Sequence, residues 1–292
     1  DHIFDETATN ELVYQELASD IVKKAMEGYN GTVFCYGQSG SGKTFTTDEL
    51  RRLALQEVLE YIENCPQREF LLRVSYFEIY NEKVTDLLQD NKELTLREDV
   101  DKNVLLDGMH EAFVKTSNQV LELLNQGNER RKISETKMNA RSSRSHCIFR
   151  IVVESRMRGS EENIDISGVL YLVDLAGSEK ASANTGDRFR EGVLINKSLL
   201  TLSLVIRQLA EDSNQHISYR DSKLTRILQN ALGGNSKTAI LCTVSPGNVE
   251  ETQSTLRFGQ SAKRVLNKPL LNEVVTDKAL LKRHQKEIET LK

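Results

Sequence analysis

Eight consecutive residues, Gly37-Gln38-Ser39-Gly40-Ser41-Gly42-Lys43-Thr44, fit G-x-x-x-x-G-K-[ST] throughout. Glycines there let backbone N–H groups turn inward around a phosphate chain, and a helix that follows adds partial positive charge at its N-terminus. Lys43 supplies a mobile cation for β- and γ-phosphates, and the Thr44 hydroxyl is placed for Mg2+. Read blandly, the segment is a Gly/Ser-rich turn that holds nothing. Its setting favours the phosphate reading: the β-branched and aromatic run Thr32-Val33-Phe34-Cys35-Tyr36 precedes it, and a helix-like stretch follows.

Asp174-Leu175-Ala176-Gly177 ends a second apolar run, Gly168 to Val173. A carboxylate at a strand end beside a phosphate loop can hold Mg2+, usually through water, and Gly177 would bring a backbone N–H to the γ-phosphate. Asp-to-Gly turns are common, so the position of this one gives it weight. Between the two lies Asn139-Ala140-Arg141-Ser142-Ser143-Arg144-Ser145-His146, with two arginines and three serines. It is either a solvated loop or a switch segment whose Ser142 and Ser143 hydroxyls and Arg144 guanidinium reach the γ-phosphate and its metal. Arg144 needs a carboxylate when no phosphate demands it, and Glu179 is the natural candidate. His146 is expected to hydrogen-bond structurally. Together these segments describe a nucleoside triphosphatase with two γ-phosphate sensors, and leave open whether its output is a signal or mechanical work.

The elements that must position these residues alternate in type. Strands are expected over 32–36, 70–80, 146–154, 168–173 and 237–244, and helices over 48–62, 195–209 and 250–266. Such alternation argues for an α/β fold, a central mostly parallel or mixed β-sheet with helices on both faces. One domain ends near Leu266, and a charged helical segment follows from Thr276 to Lys292. The chain has 292 residues and a net charge of −4, so an acidic partner must be met by a local basic face. No apolar run approaches the roughly 18 residues of a membrane span, and no basic-then-apolar leader marks secretion. The four cysteines form no CxxC pair, which fits buried reduced thiols in a cytosolic protein.

In this order, the phosphate loop, Asn139–His146 and Asp174-Leu-Ala-Gly-Ser-Glu179 closely resemble the kinesin motor domain. Glu27-Gly-Tyr-Asn-Gly31, Glu78-Ile-Tyr-Asn-Glu82, Ile195-Asn-Lys-Ser-Leu199, Tyr219-Arg-Asp-Ser-Lys-Leu-Thr225 and Leu232-Gly-Gly-Asn235 extend the likeness over nearly the whole chain. Glu69–Ser75, Arg97–Val100 and Asn272–Arg283 look most like the centromere-associated protein E class. The resemblance implies a P-loop NTPase fold and a microtubule-stimulated ATPase, with a motor domain over 1–266 that lacks its N-terminal strand. It implies a neck linker over 267–276 and the start of a neck helix or coiled coil over 277–292.

It further implies that ATP or ADP is bound by Gln38, Ser39, Gly40, Ser41, Gly42, Lys43, Thr44 and Phe45. Mg2+ falls to Thr44 and Ser143, with Asp174 acting through water; Ser142, Ser143, Arg144, Gly177 and Glu179 are the catalytic set. Lys197, Arg207, Arg220, Lys223 and Arg226 would face acidic tubulin. Leu270, Leu271 and Val274 would bury along the core in a docked linker that Asn272 latches. A linker placed C-terminal to the core is similar to the plus-end-directed arrangement. The full-length protein is then expected to be a homodimer on microtubules in the cytoplasm and cytoskeleton, with a possible place on the spindle or kinetochore, and with no nucleic-acid partner and no membrane span.

The sequence departs from the family in places. The usual first-strand Arg-x-Arg-Pro segment does not occur, which leaves Phe45 and Tyr36 as candidates near the base. After Thr46 the family's longer loop is replaced by Thr47-Asp48-Glu49-Leu50. Among rival readings, a GTPase switch would carry N-K-x-D, which Asn196-Lys197-Ser198-Leu199 does not match. A myosin would be much longer and lack Tyr219–Thr225, and a catalytically dead microtubule-binding module would not be expected to keep Lys43, Thr44, Arg144 and Glu179.

Overall fold

A computed structural model describes residues 2–99, 104–137, 141–159, 164–179, 187–211 and 216–275. The expected neck helix over 277–292 lies outside the described residues. In chain order the helices are α1 (Asn10–Leu17), α2 (Ser19–Met26), α3 (Lys43–Glu63), α4 (Ser117–Lys137), α5 (Asp187–Ala210), α6 (Lys223–Ile227) and α7 (Val249–Ala262). The strands are β1 (Gly31–Gly37), β2 (Arg68–Tyr80), β3 (Lys83–Asp86), β4 (Glu93–Glu98), β5 (Val104–Asp107), β6 (Ala112–Val114), β7 (His146–Met157), β8 (Ile164–Asp174), β9 (Lys237–Thr243) and β10 (Glu273–Val275).

The strands form one sheet in the order β5-β4-β3-β2-β7-β8-β1-β9, with β6 on β2 and β10 on β8. It is mixed, and among the described residues only the two ladders of β1, to β8 and to β9, run parallel. The long β2–β7–β8 meander is antiparallel. Strand direction is not carried by apolar spacing, and the short stretch between β7 and β8 leaves room only for an antiparallel return.

Successive side chains of β1 point to opposite faces, and both faces are covered. Val33 and Cys35 join a core with Leu50, Ala54 and Val58 of α3 and with Ile21 and Val22 of α2. Phe34 and Tyr36 join the other, with Leu202, Val205 and Ile206 of α5 and Phe258 of α7. This double burial explains why β1 reads as an unbroken apolar run. Burial pushes the Cys35 and Cys147 thiols up to about 12, as expected of inert core cysteines. No described helix is long and apolar enough to cross a membrane.

Several boundaries differ from the sequence expectation: α5 begins at Asp187, eight residues before the expected 195, and β8 at Ile164, four before the expected 168. Helix α3 begins at Lys43, inside the Gly-rich motif, and passes unbroken through Thr46-Thr47-Asp48 to Glu63. Helix α7 stops at Ala262, short of Leu266 and well before Pro269. Its end is set by Asn267, whose Oδ1 accepts Gly233 N–H at 2.7 Å and whose Nδ2 donates to Thr238 Oγ1 at 2.8 Å. Those bonds pull the chain toward β9 and leave Leu266 exposed.

Candidate functional site

The C-terminal ends of the adjacent strands β1 and β8 place the two motifs side by side. Cys35 pairs with Asp174, the last residue of β8, and β1 runs two residues further against β9 to Gly37, where the loop starts. Gly42 takes a φ of +97° as it turns into α3 and offers no side chain to cap that helix. By contrast, α1, α6 and α7 are capped by Thr9, Ser222 and Asn248. The first N–H groups of a 21-residue helix thus remain available to an anion.

Lys43 is buried, and its Nζ donates to Gln38 O at 2.8 Å, which folds it over the loop. Burial lowers its pKa, while Asp174 and Glu179 oppose that shift. Ser41 Oγ donates to the same Gln38 carbonyl at 2.7 Å. Thr44 Oγ1 donates to Asp174 Oδ2 at 2.7 Å, and an Arg131 Nη1 of α4 lies 3.3 Å from that oxygen. Asp174 is 1% exposed, yet its Oδ1 has no hydrogen-bond partner. A buried carboxylate oxygen without a partner is costly unless a cation or ordered water completes it. Beside the Thr44 hydroxyl and a phosphate loop, that oxygen suits Mg2+, a hard ion that takes few protein oxygens and keeps water and phosphate. No group of three His, Cys, Asp or Glu residues gathers among the described residues.

The two switch segments touch through backbone. Gly177 N–H donates to Ser143 O at 2.8 Å, and Ser178 N–H to Gly37 O at 3.0 Å. A side chain at Gly177 would meet Ser39 Oγ and the Glu179 carboxylate at under 2.6 Å, so it would displace the Ser39–Glu179 contact. Glu179 Oε2 accepts Ser39 N–H at 2.7 Å, and its other oxygen accepts the Ser39 hydroxyl. Its carboxylate therefore sits on the phosphate loop in this structure. Ser142 belongs to the turn Arg141–Arg144, and its side chain lies outside the described residues.

Phe45 is 75% exposed and lines an open cleft of about 600 Å³ with Thr9, Asn10, Glu11, Asp48 and Glu49. Tyr36 is corrected: it stacks on Phe258 at 3.7 Å within the core and offers no face to a base.

Of the expected track-facing cations, Lys197, Arg207 and Arg220 are exposed and Lys223 is half-buried. Arg226 is also corrected. It is buried, its guanidinium lies 2.9 Å from Glu98, and it donates to Gln229. Arg220 reaches the same Glu98 at 2.9 Å from the solvent side. The guanidiniums of Arg220 and Arg226 hold the Glu98 carboxyl below its ordinary range.

The segment after α7 lies along the sheet. β10 pairs with Ile164–Ile166 of β8, before the point where β1 begins at Gly31 opposite Leu170. Asn272 anchors it: its backbone N and its Nδ2 each donate to Gly28 O at 2.9 Å, and its Oδ1 accepts from Asn235 Nδ2 at 2.8 Å. Asn235 also accepts Leu270 N–H, and Asn30 joins Asn272, Asn235 and Val169. The expected burial of the apolar pair is corrected, since Leu270 and Leu271 are 63% and 41% exposed. The Val274 side chain lies outside the described residues.

Sequence reasoning missed Arg131, Asn30 and the role of Asn235. Arg131 sits in the charged run Glu129-Arg-Arg-Lys132, where nothing in the sequence separates one buried arginine from solvated neighbours. Asn30 and Asn235 stand inside family-like segments, and that was the available signal.

A family model described as kinesin motor domain matches residues 1–265. Human centromere-associated protein E is 49% identical over the whole chain, which spans 11% of that protein. Kinesin-like protein KIN-7N of Arabidopsis thaliana is also 49% identical over the whole chain, which spans 37% of it. A solved structure of a fast kinesin superposes with a TM-score of 0.86 at 38% identity, over 95% of this chain and 82% of the other. KIF14, solved as a dimer with AMP-PNP in complex with a microtubule, gives 0.84 at 37% identity over 93% of this chain and 81% of that one.

Proposed function

The chain belongs to the kinesin motor domain family, and from that premise we propose that it hydrolyses ATP to move toward microtubule plus ends. The observation that carries this reading is the Thr44–Asp174 contact at the uncapped start of α3, with Asp174 Oδ1 buried and unpartnered beside it. Lys43 and the loop N–H groups bind the phosphates, and Phe45 in its open cleft takes the base. Thr44 and Ser143 would hold Mg2+ with Asp174 behind it, and the ion would neutralise charge on the β- and γ-phosphates.

In the nucleotide-bound state Glu179 leaves Ser39 and pairs with Arg144, and Gly177 N–H turns from Ser143 O to the γ-phosphate. That exchange is local: Ser39, Glu179, Gly177 and Ser143 already touch in series. It frees the loop for an anion and lets Arg144 and Glu179 orient the attacking water.

Lys197, Arg207 and Lys223, with Arg220 at the rim, form the face toward acidic tubulin, so a net charge of −4 is offset locally. KIF14 in its microtubule complex supports this partner for the fold. The segment 267–276 is read as the neck linker; the Asn272 bonds to Gly28 and Asn235 support a docked arrangement, and its place C-terminal to the core supports plus-end motion. Likeness to centromere-associated protein E supports a role on the mitotic spindle for a full-length homodimer joined beyond Lys278. The test is steady-state ATPase rate against microtubule concentration, followed by gliding on polarity-marked microtubules with a chain extended past Lys292. A saturating rise in rate and plus-end motion are expected. A rate indifferent to microtubules overturns the motor reading, and minus-end motion overturns the direction.

A further inference from the structure

His146 begins β7 three residues after Ser143 and is buried at 2% exposure. Its two ring nitrogens face different parts of the molecule. Nδ1 lies 3.0 Å from the backbone N of Ala176, the residue before Gly177. Nε2 lies 2.7 Å from Ser198 Oγ on α5. A backbone N–H can only donate, so Nδ1 accepts, the ring proton resides on Nε2, and the ring donates to Ser198. Burial, with Lys43 adding to it, lowers the His146 pKa to about 3, so the ring stays neutral and keeps this tautomer.

Ser198 is a buried polar residue on the side of α5 that carries Thr201, Leu202 and Val205, three, four and seven residues further on. Its neighbour Lys197 is exposed, as are Leu200 and Arg207. One short helical segment therefore presents Lys197 outward and Ser198 inward. Beyond the ring, the Ala176 peptide continues into Gly177, whose N–H is bonded to Ser143 O. A displacement of α5 along its axis cannot keep both ring bonds, because a ring fixed at Ala176 has no freedom to follow Ser198.

We propose that His146 is a positioning residue that carries microtubule engagement of α5 to Ala176–Gly177 and so sets how fast nucleotide leaves. This rests on the microtubule-motor reading above. The ring works as a rigid strut: it reads the position of Ser198 at one nitrogen and fixes the peptide that orients Gly177 N–H at the other.

The experiment follows release of a fluorescent ADP analogue from the folded chain, with and without microtubules. Ser198→Ala removes the acceptor and is expected to leave basal release within about twofold while cutting microtubule-accelerated release about tenfold. Ser198→Thr keeps the hydroxyl and should restore most of the acceleration. His146→Asn can still accept Ala176 N–H but is too short to reach α5, so combining it with Ser198→Ala should add no further loss of acceleration. A wild-type chain that ignores microtubules overturns both readings. A responsive wild type with an equally responsive Ser198→Ala overturns the strut alone. So does an Ala variant whose basal and accelerated rates fall by the same factor, because that is the mark of a merely structural pair.

Discussion

The nucleotide site and the linker dock use opposite materials. At the first, Lys43, Asp174 and Arg131 are charged and at most 7% exposed, and each is held by a named partner. At the second, the bonds come from neutral amides of Asn30, Asn235 and Asn272, and the flanking Leu266 and Leu270 stay largely in solvent. Buried charges cost several kcal/mol to leave unpaired, so they hold one arrangement or exchange one partner for another. Neutral hydrogen bonds at a half-wet edge net about 0.5–1.5 kcal/mol each, so a few of them can form and release with modest free energy. On the proposed reading, the charges of the nucleotide site change state only by exchanging partners, and the segment after α7 is held by bonds weak enough to release.

Breaking the fixed side should produce the largest effects. Lys43→Ala removes the cation over the loop and leaves Asp174 with less compensation. Turnover should fall at least about 1000-fold, near 4 kcal/mol, measured as phosphate release in a single turnover. Next comes Glu179→Ala, which should bind ATP yet hydrolyse it about 100-fold more slowly, near 2.7 kcal/mol. Because Glu179 occupies Ser39 N–H in this structure, ATP affinity should hold or rise in that variant. Near-normal turnover would leave Glu179 as a tether of the phosphate loop and no more.

The detachable side should respond differently. Asn272→Ala removes the side-chain bonds to Gly28, Asn30 and Asn235. Gliding speed should drop several-fold while ATPase stays within about twofold, and equal losses in both would deny the dock a separate mechanical role. At the track face, exposed charges are screened over about 8 Å at physiological ionic strength. Added salt or neutralisation of Lys223 should therefore weaken microtubule affinity a few-fold and spare ATP affinity, whereas Arg226→Ala should lower thermal stability instead, since Arg226 is tied to Glu98 inside the fold. The smallest effect should come from Leu270→Gly with Leu271→Gly, under about twofold in speed, because neither side chain is buried. A loss as large as that of Asn272→Ala would put apolar contact back at the centre of docking.

Much of the catalytic half was legible. The phosphate loop lies between β1 and α3, and Asp174 ends β8, because local spacing of glycines, apolar runs and one carboxylate sets strand and turn. The start of α3 was misplaced by five residues, since a Gly-Lys-Thr stretch reads as turn until the helix is seen to use it. Periodicity also hid strand direction, because a buried strand is apolar whether its neighbour runs with it or against it.

Contiguous patterns in the sequence alone carry a phosphate-binding loop, a metal-suited carboxylate and a serine- and arginine-rich segment before β7. Only the tertiary structure decided which distant residues those patterns meet. Arg131 is an unremarked cation until α4 carries it to Asp174, 43 positions on. Arg226 belongs to a basic segment until β4 brings Glu98 beneath it. Asn272 is one amide among many until β1, beginning only opposite Leu170, leaves the first residues of β8 for β10 to fill. Each outcome depends on desolvation and geometry created by packing, which no single stretch of chain encodes on its own.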